Sequence, residues 1–187
     1  MSNFFDQVTP EIRSFIEGQK MFFVATAPRE GHINLSPKGM DTFRVLDAHR
    51  AIYLDLTGSG NETAAHLLDN GRITIMFCSF EKSAMIVRLY GRGRVIHPRD
   101  PEWKNYLAQF PPTPGVRQIM EISVERAMNS CGYAVPRMLE NGLEERETLR
   151  KYWLKDGADP EAYQRKHNTR SIDGLPTGTS PEDPDAQ

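Results

Sequence analysis

The chain has 187 residues, is 39% apolar and carries a formal charge of −2 at neutral pH. That length supports one domain with a sizeable core, and the balanced charge gives no electrostatic footprint for nucleic acid. No apolar run approaches the roughly eighteen residues of a membrane-spanning helix. The opening MSNFFDQVTPEIRSF has no basic segment ahead of an apolar one, so no secretory signal is expected and cytoplasmic residence is the default.

Thr9-Pro10-Glu11 predicts a helix start: an N-cap hydroxyl, a proline at the first helical position and an acid in the first turn. Ile12, Phe15 and Ile16 follow at helical spacing, and Gly18 closes the helix. Met21 to Ala27 is a short apolar run rich in β-formers and reads as a buried strand. Pro28 to His32 turns the chain. Ile33 to Ser36, Thr42 to Leu46 and Ala51 to Leu56 read as strands. The next stretch, LDLTGSGNETAAHLLDNGR, breaks a strand into a polar glycine loop and restarts as a helix over Asn61 to Asn70. Arg72 to Ser79, Met85 to Ile96 and Gln118 to Met128 are further strands, and Gly91 and Gly93 mark a bulge or barrel corner. Pro101 to Phe110 reads as a helix ended by PPTPG. Charged helices are expected over Glu144 to Lys155 and Glu161 to Lys166, and the Pro-rich acidic end LPTGTSPEDPDAQ as disordered. The division is one domain through residue 170 and a flexible tail over 171–187.

Six or seven short strands with one helix among them predict a mainly β fold, an antiparallel barrel with peripheral helices. The βαβα alternation of a parallel nucleotide-binding sheet is missing.

The glycine loop is the informative stretch. Gly58-Ser59-Gly60-Asn61-Glu62-Thr63 is neither the dinucleotide fingerprint nor a Gly-Lys-Ser phosphate loop. Gly58 and Gly60 can adopt positive φ and let backbone approach a ligand. Ser59 or Asn61 can cap the helix, whose first-turn N–H groups and partial positive charge favour a phosphate. An ordinary strand-to-helix turn without a ligand accounts for these residues equally well. The segment Ser36-Pro37-Lys38-Gly39-Met40-Asp41-Thr42-Phe43-Arg44 tips the balance. It places Lys38 and Arg44 at the end of a strand that a barrel can bring beside the helix start. Solvated surface cations are the bland alternative.

Taken in order, NLSPKG, YLDLTGSGNETAAHLLDN, RITIMFCS and VRLYGRGRVI resemble the FMN-binding split-barrel family of pyridoxamine 5′-phosphate oxidase and its relatives. The resemblance covers about Met21 to Ile96 and runs more loosely to Met128. SCGYAVP at Ser130 to Pro136 and SIDGLP at Ser171 to Pro176 are similar to a bacterial subgroup of FMN-binding relatives. The resemblance implies an antiparallel split barrel, a homodimer with FMN at its interface, and flavin oxidoreductase chemistry on a small organic molecule. Ser59 aligns with the serine of the family's phosphate loop. Gly60 and Asn61 stand where true pyridoxamine phosphate oxidases carry two basic residues, which leaves Lys38 and Arg44 to meet the phosphate charge. Arg88 aligns with the arginine of the family's R-x-x-G. The implied cofactor contacts are Ser36, Lys38, Gly39, Arg44, Thr57, Ser59, Gly60, Asn61, Thr63 and Arg88. Backbone N–H groups near Lys38-Gly39, or Lys38 itself, would meet charge on the reduced flavin ring. The family's basic segment for the substrate phosphate is replaced here by an acidic end, which argues against pyridoxamine 5′-phosphate as substrate.

Other constellations are weaker. Cys78 and Cys131 form no CxxC pair and stay reduced in a cytosolic chain; Cys131 reads as a small hydrophobe before a nucleophile. His32, His49, His66, His97 and His167 show no metal spacing. The glycine loop lacks the Gly-x-Ser-x-Gly elbow of a serine hydrolase. Trp153, with Tyr152 and Leu149, reads as helix packing. A flavin- or haem-binding sensor or carrier without turnover is the rival functional class, and a deazaflavin is an alternative cofactor.

Overall fold

The computed structural model describes residues 2–58, 61–140, 142–144, 151–152, 154–159, 162–163 and 166. The expectations for Ser59, Gly60, Trp153 and the acidic end, and most of those for the two charged helices, lie outside the described residues.

The elements run β1 (Ser2–Phe5), α1 (Pro10–Glu17), β2 (Phe22–Thr26), β3 (Asn34–Lys38), β4 (Phe43–Val45), β5 (Arg50–Leu56), α2 (Glu62–Asp69), β6 (Arg72–Cys78), β7 (Ile86–Ile96), α3 (Trp103–Leu107), β8 (Val116–Ser130), β9 (Arg137–Leu139) and β10 (Gly142–Glu144). One antiparallel sheet has the order β3-β2-β6-β7-β8-β5-β4, with β1 also paired to β8. It curls into a split barrel whose two ends are β3 and β4. Strands β9 and β10 form a separate hairpin. The sequence reading omits β9, β10 and, at the start of the chain, β1. Strand β1 is short and largely exposed; Ser2 to Phe5 pair with the far end of β8, Phe5 packs against the barrel core and the Arg126 guanidinium lies 5.6 Å from the Phe4 ring centre.

The barrel encloses the larger core, with Val24, Tyr53, Ile75, Leu89, Met120 and Ile122 fully buried. Phe22, Phe43, Tyr53 and Phe77 meet in largely edge-to-face pairs with centroids 5.0–5.6 Å apart. A second core lies under α3, where Ile52, Leu54, Ile96, Phe110 and Ile119 are buried beside Trp103, Tyr106 and Leu107. Strand β5 serves both cores because side chains alternate across a sheet: Tyr53 packs in the barrel core and Ile52 and Leu54 under α3.

Helix α1 begins as its sequence dictates. The Thr9 hydroxyl accepts from the Ile12 N–H at 3.3 Å, and Ile12 and Ile16 are buried. Helix α2 packs across β7, β2 and β6. One glycine of β7 makes that packing possible, and another lets β7 approach β8 closely. A Cβ on Gly93 would lie 2.8 Å from Leu67 Cδ2, so its absence gives α2 room. A Cβ on Gly91 would lie 2.0 Å from the Ser123 carbonyl oxygen, at the point where the β7–β8 register shifts. The predicted bulge is there. Among the described residues no helix is long and apolar enough to cross a membrane.

Candidate functional site

A polar seam runs from β3 across the start of α2 to the ends of β5 and β8. Period-two alternation puts Asn34, Ser36 and Lys38 on one face of β3. Asn34 Nδ2 donates to Thr63 Oγ1 on α2 at 3.1 Å and to Thr26 Oγ1 at 3.3 Å. The Thr26 hydroxyl bonds His66 Nδ1 at 2.9 Å. Thr26, Thr63 and His66 are all buried, so this end of the seam is a buried hydrogen-bonded network.

The other end is charged. Asp55, only 2% exposed, sits at the end of the apolar run AIYLDL on β5. Lys38 Nζ lies 3.5 Å from Asp55 Oδ1. Arg117, near the start of β8, donates to Asp55 Oδ2 from Nε at 3.0 Å and Nη2 at 2.8 Å. Gln118 Nε2 adds a bond at 2.7 Å to the same oxygen. A buried carboxylate is costly unless it is paired and hydrogen-bonded, and three side chains from two strands meet that demand. The same Gln118 amide reaches Asn61 Oδ1 at 2.6 Å. Asn61 is the N-cap of α2, yet its side chain makes no capping bond. Its oxygen is spent on Gln118, and no described residue accepts the first-turn N–H groups of α2.

The Tyr53 hydroxyl is fully buried with no well-formed hydrogen bond, Thr63 being the polar side chain it interacts with. Burial pushes its ionisation well above the ordinary phenol range, and the charge of Asp55 adds to the shift. It is a neutral donor at any physiological pH.

The sequence-predicted residues separate into three groups. Ser36, Lys38, Asn61 and Thr63 line or flank the seam. Gly39 and Thr57 adjoin it through the backbone: the Gly39 carbonyl accepts from the Thr42 hydroxyl at 2.6 Å, and the Thr57 N–H donates to the Gly115 carbonyl at 2.7 Å. Arg44 and Arg88 are elsewhere. Arg44 pairs with Ile52 in the β4–β5 ladder, and so lies on the α3 side of the sheet. Its guanidinium grips Asp41 through two bonds of 2.7 and 2.8 Å, donates to the Gln109 carbonyl and lies 4.8 Å from the Phe110 ring centre. That grip holds the Asp41 carboxyl below its ordinary range. Arg88 reaches Ser130 at 3.5 Å. Gly58 does not use the positive φ open to it; among the described non-glycine residues the left-handed backbone falls at Met40 and Asp41, with φ of 60° and 55°. That turn borders a cavity of about 270 Å³ lined by Lys20, Phe22, Gly39, Thr42, Phe43 and Phe77.

The sequence reading passed over Asn34, Tyr53, Asp55, Arg117 and Gln118. One signal was available: an aspartate inside an apolar strand requires a partner, and Arg117-Gln118 opens a strand that pairs with it. Cys131 is exposed and Cys78 is buried, with burial raising its thiol ionisation. Two strand spacings separate their positions, since Cys78 pairs with Ile86 and Ile86 with Ser130. Among the described residues no three His, Cys, Asp or Glu side chains are grouped to hold a metal.

Residues 8–131 match the family model of pyridoxamine 5′-phosphate oxidase. The chain belongs to the pyridoxamine 5′-phosphate oxidase family. The match spans α1 through β8 and so includes the whole seam. This family member is 37% identical over 194 residues to the pyridoxamine 5′-phosphate oxidase family protein ustO of Aspergillus flavus, covering 94% of this chain and 78% of that protein. Its fold is similar to a variant of HupZ from Group A Streptococcus, with a TM-score of 0.56 and 26% identity over 66% of this chain and 99% of that one. HutZ, a haem storage protein from Vibrio cholerae, shares the fold with a TM-score of 0.50 and 18% identity, over 65% of this chain and 93% of that one.

Proposed function

We propose that this protein is an FMN-dependent oxidoreductase acting on a small organic molecule, and that it works as a homodimer with the flavin between the subunits. The observation that carries the reading is the charged end of the seam. Two cations from opposite parts of the sheet, Lys38 and Arg117, converge beside the uncapped start of α2. An anion is favoured there, because the orphan N–H groups and the helix dipole add to the side-chain charge. The orphaned Tyr53 hydroxyl supplies an unused donor at the same strand end. The residues present therefore suit a phosphorylated flavin.

A bound flavin supplies the hydride chemistry itself. The chain's contribution is to bind, orient and exclude water. Asn34, Ser36 and Lys38 present polar atoms along β3 to one side of the ligand. With Lys38 given to the phosphate, the Gly39 N–H is the donor left on β3's end to meet negative charge on a reduced ring. Leu35 and Ile33 are 67% and 77% exposed beside this face, and Leu68 on α2 is 79% exposed; a second subunit would cover such groups.

Haem is less well suited to this seam. The imidazole that approaches it among the described residues is His66, which is buried and bonded to Thr26.

The test is the visible spectrum of the purified protein, followed by anaerobic addition of NADH or NADPH and then air. Flavin bands that bleach and return support the reading. A Soret band, or flavin that no donor reduces, counts against it. Sedimentation as a monomer at micromolar concentration would remove the dimer.

A further inference from the structure

The cavity beside the turn at Met40 and Asp41 lies outside the hydrogen-bonded network of the seam. It is framed by the end of α1, the start of β2, the turn before β4 and β4 itself. Its floor is aromatic. The rings of Phe22, Phe43 and Phe77 meet with centroids 5.0–5.6 Å apart, and Val45 adds to the wall. A further ring would extend this cluster in the offset or edge-to-face geometry that aromatic pairs prefer. The volume is about 270 Å³. An apolar cavity of about 150 Å³ holds benzene, and pockets for drug-sized ligands begin near about 300 Å³. The space therefore suits one ring with a short substituent.

The mouth is charged, and its charges do not cancel. Arg13 pairs with Glu17 at 2.8 Å and Arg44 with Asp41 at 2.7 Å. Lys20 is exposed and has no hydrogen bond or ion pair among the described residues. With the two pairs neutral, it leaves one net positive charge at the mouth. Its field reaches Asp41 and helps to hold that carboxyl below its ordinary range. Both carboxylates are already held by arginines, so an incoming anion meets the Lys20 ammonium.

The rim is strained and fixed. Met40 and Asp41 are two successive non-glycine residues in the left-handed region; aspartate tolerates that backbone, and methionine gains nothing from it. The Thr42 hydroxyl, on a residue 3% exposed, donates to the Gly39 carbonyl at 2.6 Å and holds the turn. A Cβ on Gly39 would lie 3.3 Å from the Lys20 carbonyl oxygen, so the turn presses against the segment that carries Lys20. Strained backbone that its surroundings hold in place clusters at ligand sites.

We infer that this cavity binds a single-ring aromatic carboxylate, with the ring against Phe22, Phe43 and Phe77 and the carboxylate on Lys20. The inference goes beyond the flavin reading and stands without it.

The experiment is a titration of the ¹⁵N-labelled full chain with benzoate, with its neutral counterpart benzamide and with acetate, followed by amide NMR. Wild type, Lys20→Gln and Lys20→Arg are compared, with Lys104→Gln on α3 as the control for a cation elsewhere. Lys20 is exposed, so these variants are expected to fold as wild type does, and their amide spectra check it. Benzoate is expected to move the Phe22, Thr42 and Phe43 amides saturably, and acetate to move none of them saturably. Benzoate should bind about three- to fivefold more tightly than benzamide at low salt, the upper worth of a partly exposed ion pair, and added salt should shrink that preference. Lys20→Gln should bring benzoate to the affinity of benzamide, with benzamide unchanged within about twofold, while Lys20→Arg and Lys104→Gln keep the preference. No saturable shift, equal binding of benzoate and benzamide to wild type, a preference that survives Lys20→Gln, or shifts confined to the seam around Asn34 and Asp55 would each overturn the inference. A protein that binds benzoate here and shows no flavin bands keeps the inference and loses the flavin reading; one with flavin bands and no benzoate site does the reverse.

Discussion

The Gln118 side-chain amide donates to Asp55 Oδ2 at 2.7 Å and to Asn61 Oδ1 at 2.6 Å, so one residue of β8 fastens the end of β5 to the start of α2. Gln118 itself is 2% exposed. Replacing it with leucine keeps the volume and removes both bonds. Asp55 then keeps Arg117 and Lys38, but the Asn61 oxygen loses its partner. Asn61 is exposed and its oxygen turns to water, so the expected cost is about 1.5–3 kcal/mol, that of the lost hydrogen bond to the charged Asp55. Urea denaturation of Gln118→Leu beside wild type measures it; an unchanged midpoint would mean that water replaces the amide at no cost.

The two glycines of β7 separate a rigid obstacle from a soft one. At Gly91 an added methyl meets the Ser123 backbone carbonyl at 2.0 Å, and the strand pair must move apart. At Gly93 it meets the tips of Leu67 at 2.8 and 2.9 Å, which a rotamer change can relieve. Gly93→Ala should therefore cost about 1–3 kcal/mol, the usual range for overpacking, and Gly91→Ala more. Denaturant midpoints of the two variants give the order. Equal effects would show that the bulge relaxes as readily as a leucine side chain.

Much of the barrel was legible because its signals are local. Thr9-Pro10 announced α1, the apolar runs announced the strands, and Gly91 and Gly93 announced the bulge. The site was less legible because it is assembled from residues far apart in sequence. Lys38, Asp55 and Arg117 come from β3, β5 and β8, and only closure of the sheet puts them in contact. Asp55 was visible as an anomaly in an apolar strand, but its partners were not. Arg44 misled the reading for a related reason. It sits four residues beyond the turn at Met40, and its place in the β4–β5 ladder opposite Ile52 turns it to the α3 side of the sheet, away from the seam.

Arg44 should consequently affect the fold and leave ligand binding intact. Its ion pair with Asp41 is partly exposed, with side-chain exposures of 28% and 70%, and such pairs contribute about 0–1 kcal/mol. Its bond to the Gln109 carbonyl and its stacking over Phe110 add to that. Arg44→Ala is expected to lower the denaturation midpoint slightly while FMN affinity stays within about twofold of wild type, an effect below 0.5 kcal/mol. The carboxyl of Asp41, whose ionisation Arg44 depresses, contributes stability above its unfolded-state range near pH 3.8 and loses it as pH falls through the lower folded value. Arg44→Ala should remove this acid-side contribution. A ten-fold loss of FMN affinity in a folded Arg44→Ala protein would return Arg44 to the site.

Tyr53 gives the sharpest separation of stability from function. Its ring is part of the aromatic core, 5.6 Å from Phe22, while its hydroxyl is buried without a well-formed partner. Folding strips water from that hydroxyl and returns little, and an unsatisfied buried group of this kind costs about 1–3 kcal/mol. Tyr53→Phe keeps the ring and deletes the cost, so the ligand-free protein should become more stable by about 1 kcal/mol. The phenol is held neutral by burial beside Asp55, so no charge is lost with it and the gain should not vary with pH across the neutral range. If the hydroxyl is kept for a ligand, the same substitution should weaken flavin binding. Urea denaturation and flavin titration of Tyr53→Phe measure the two effects independently. A destabilised variant would show that Thr63 satisfies the hydroxyl in the free protein. A stabilised variant with unchanged flavin affinity would show that the hydroxyl serves no ligand.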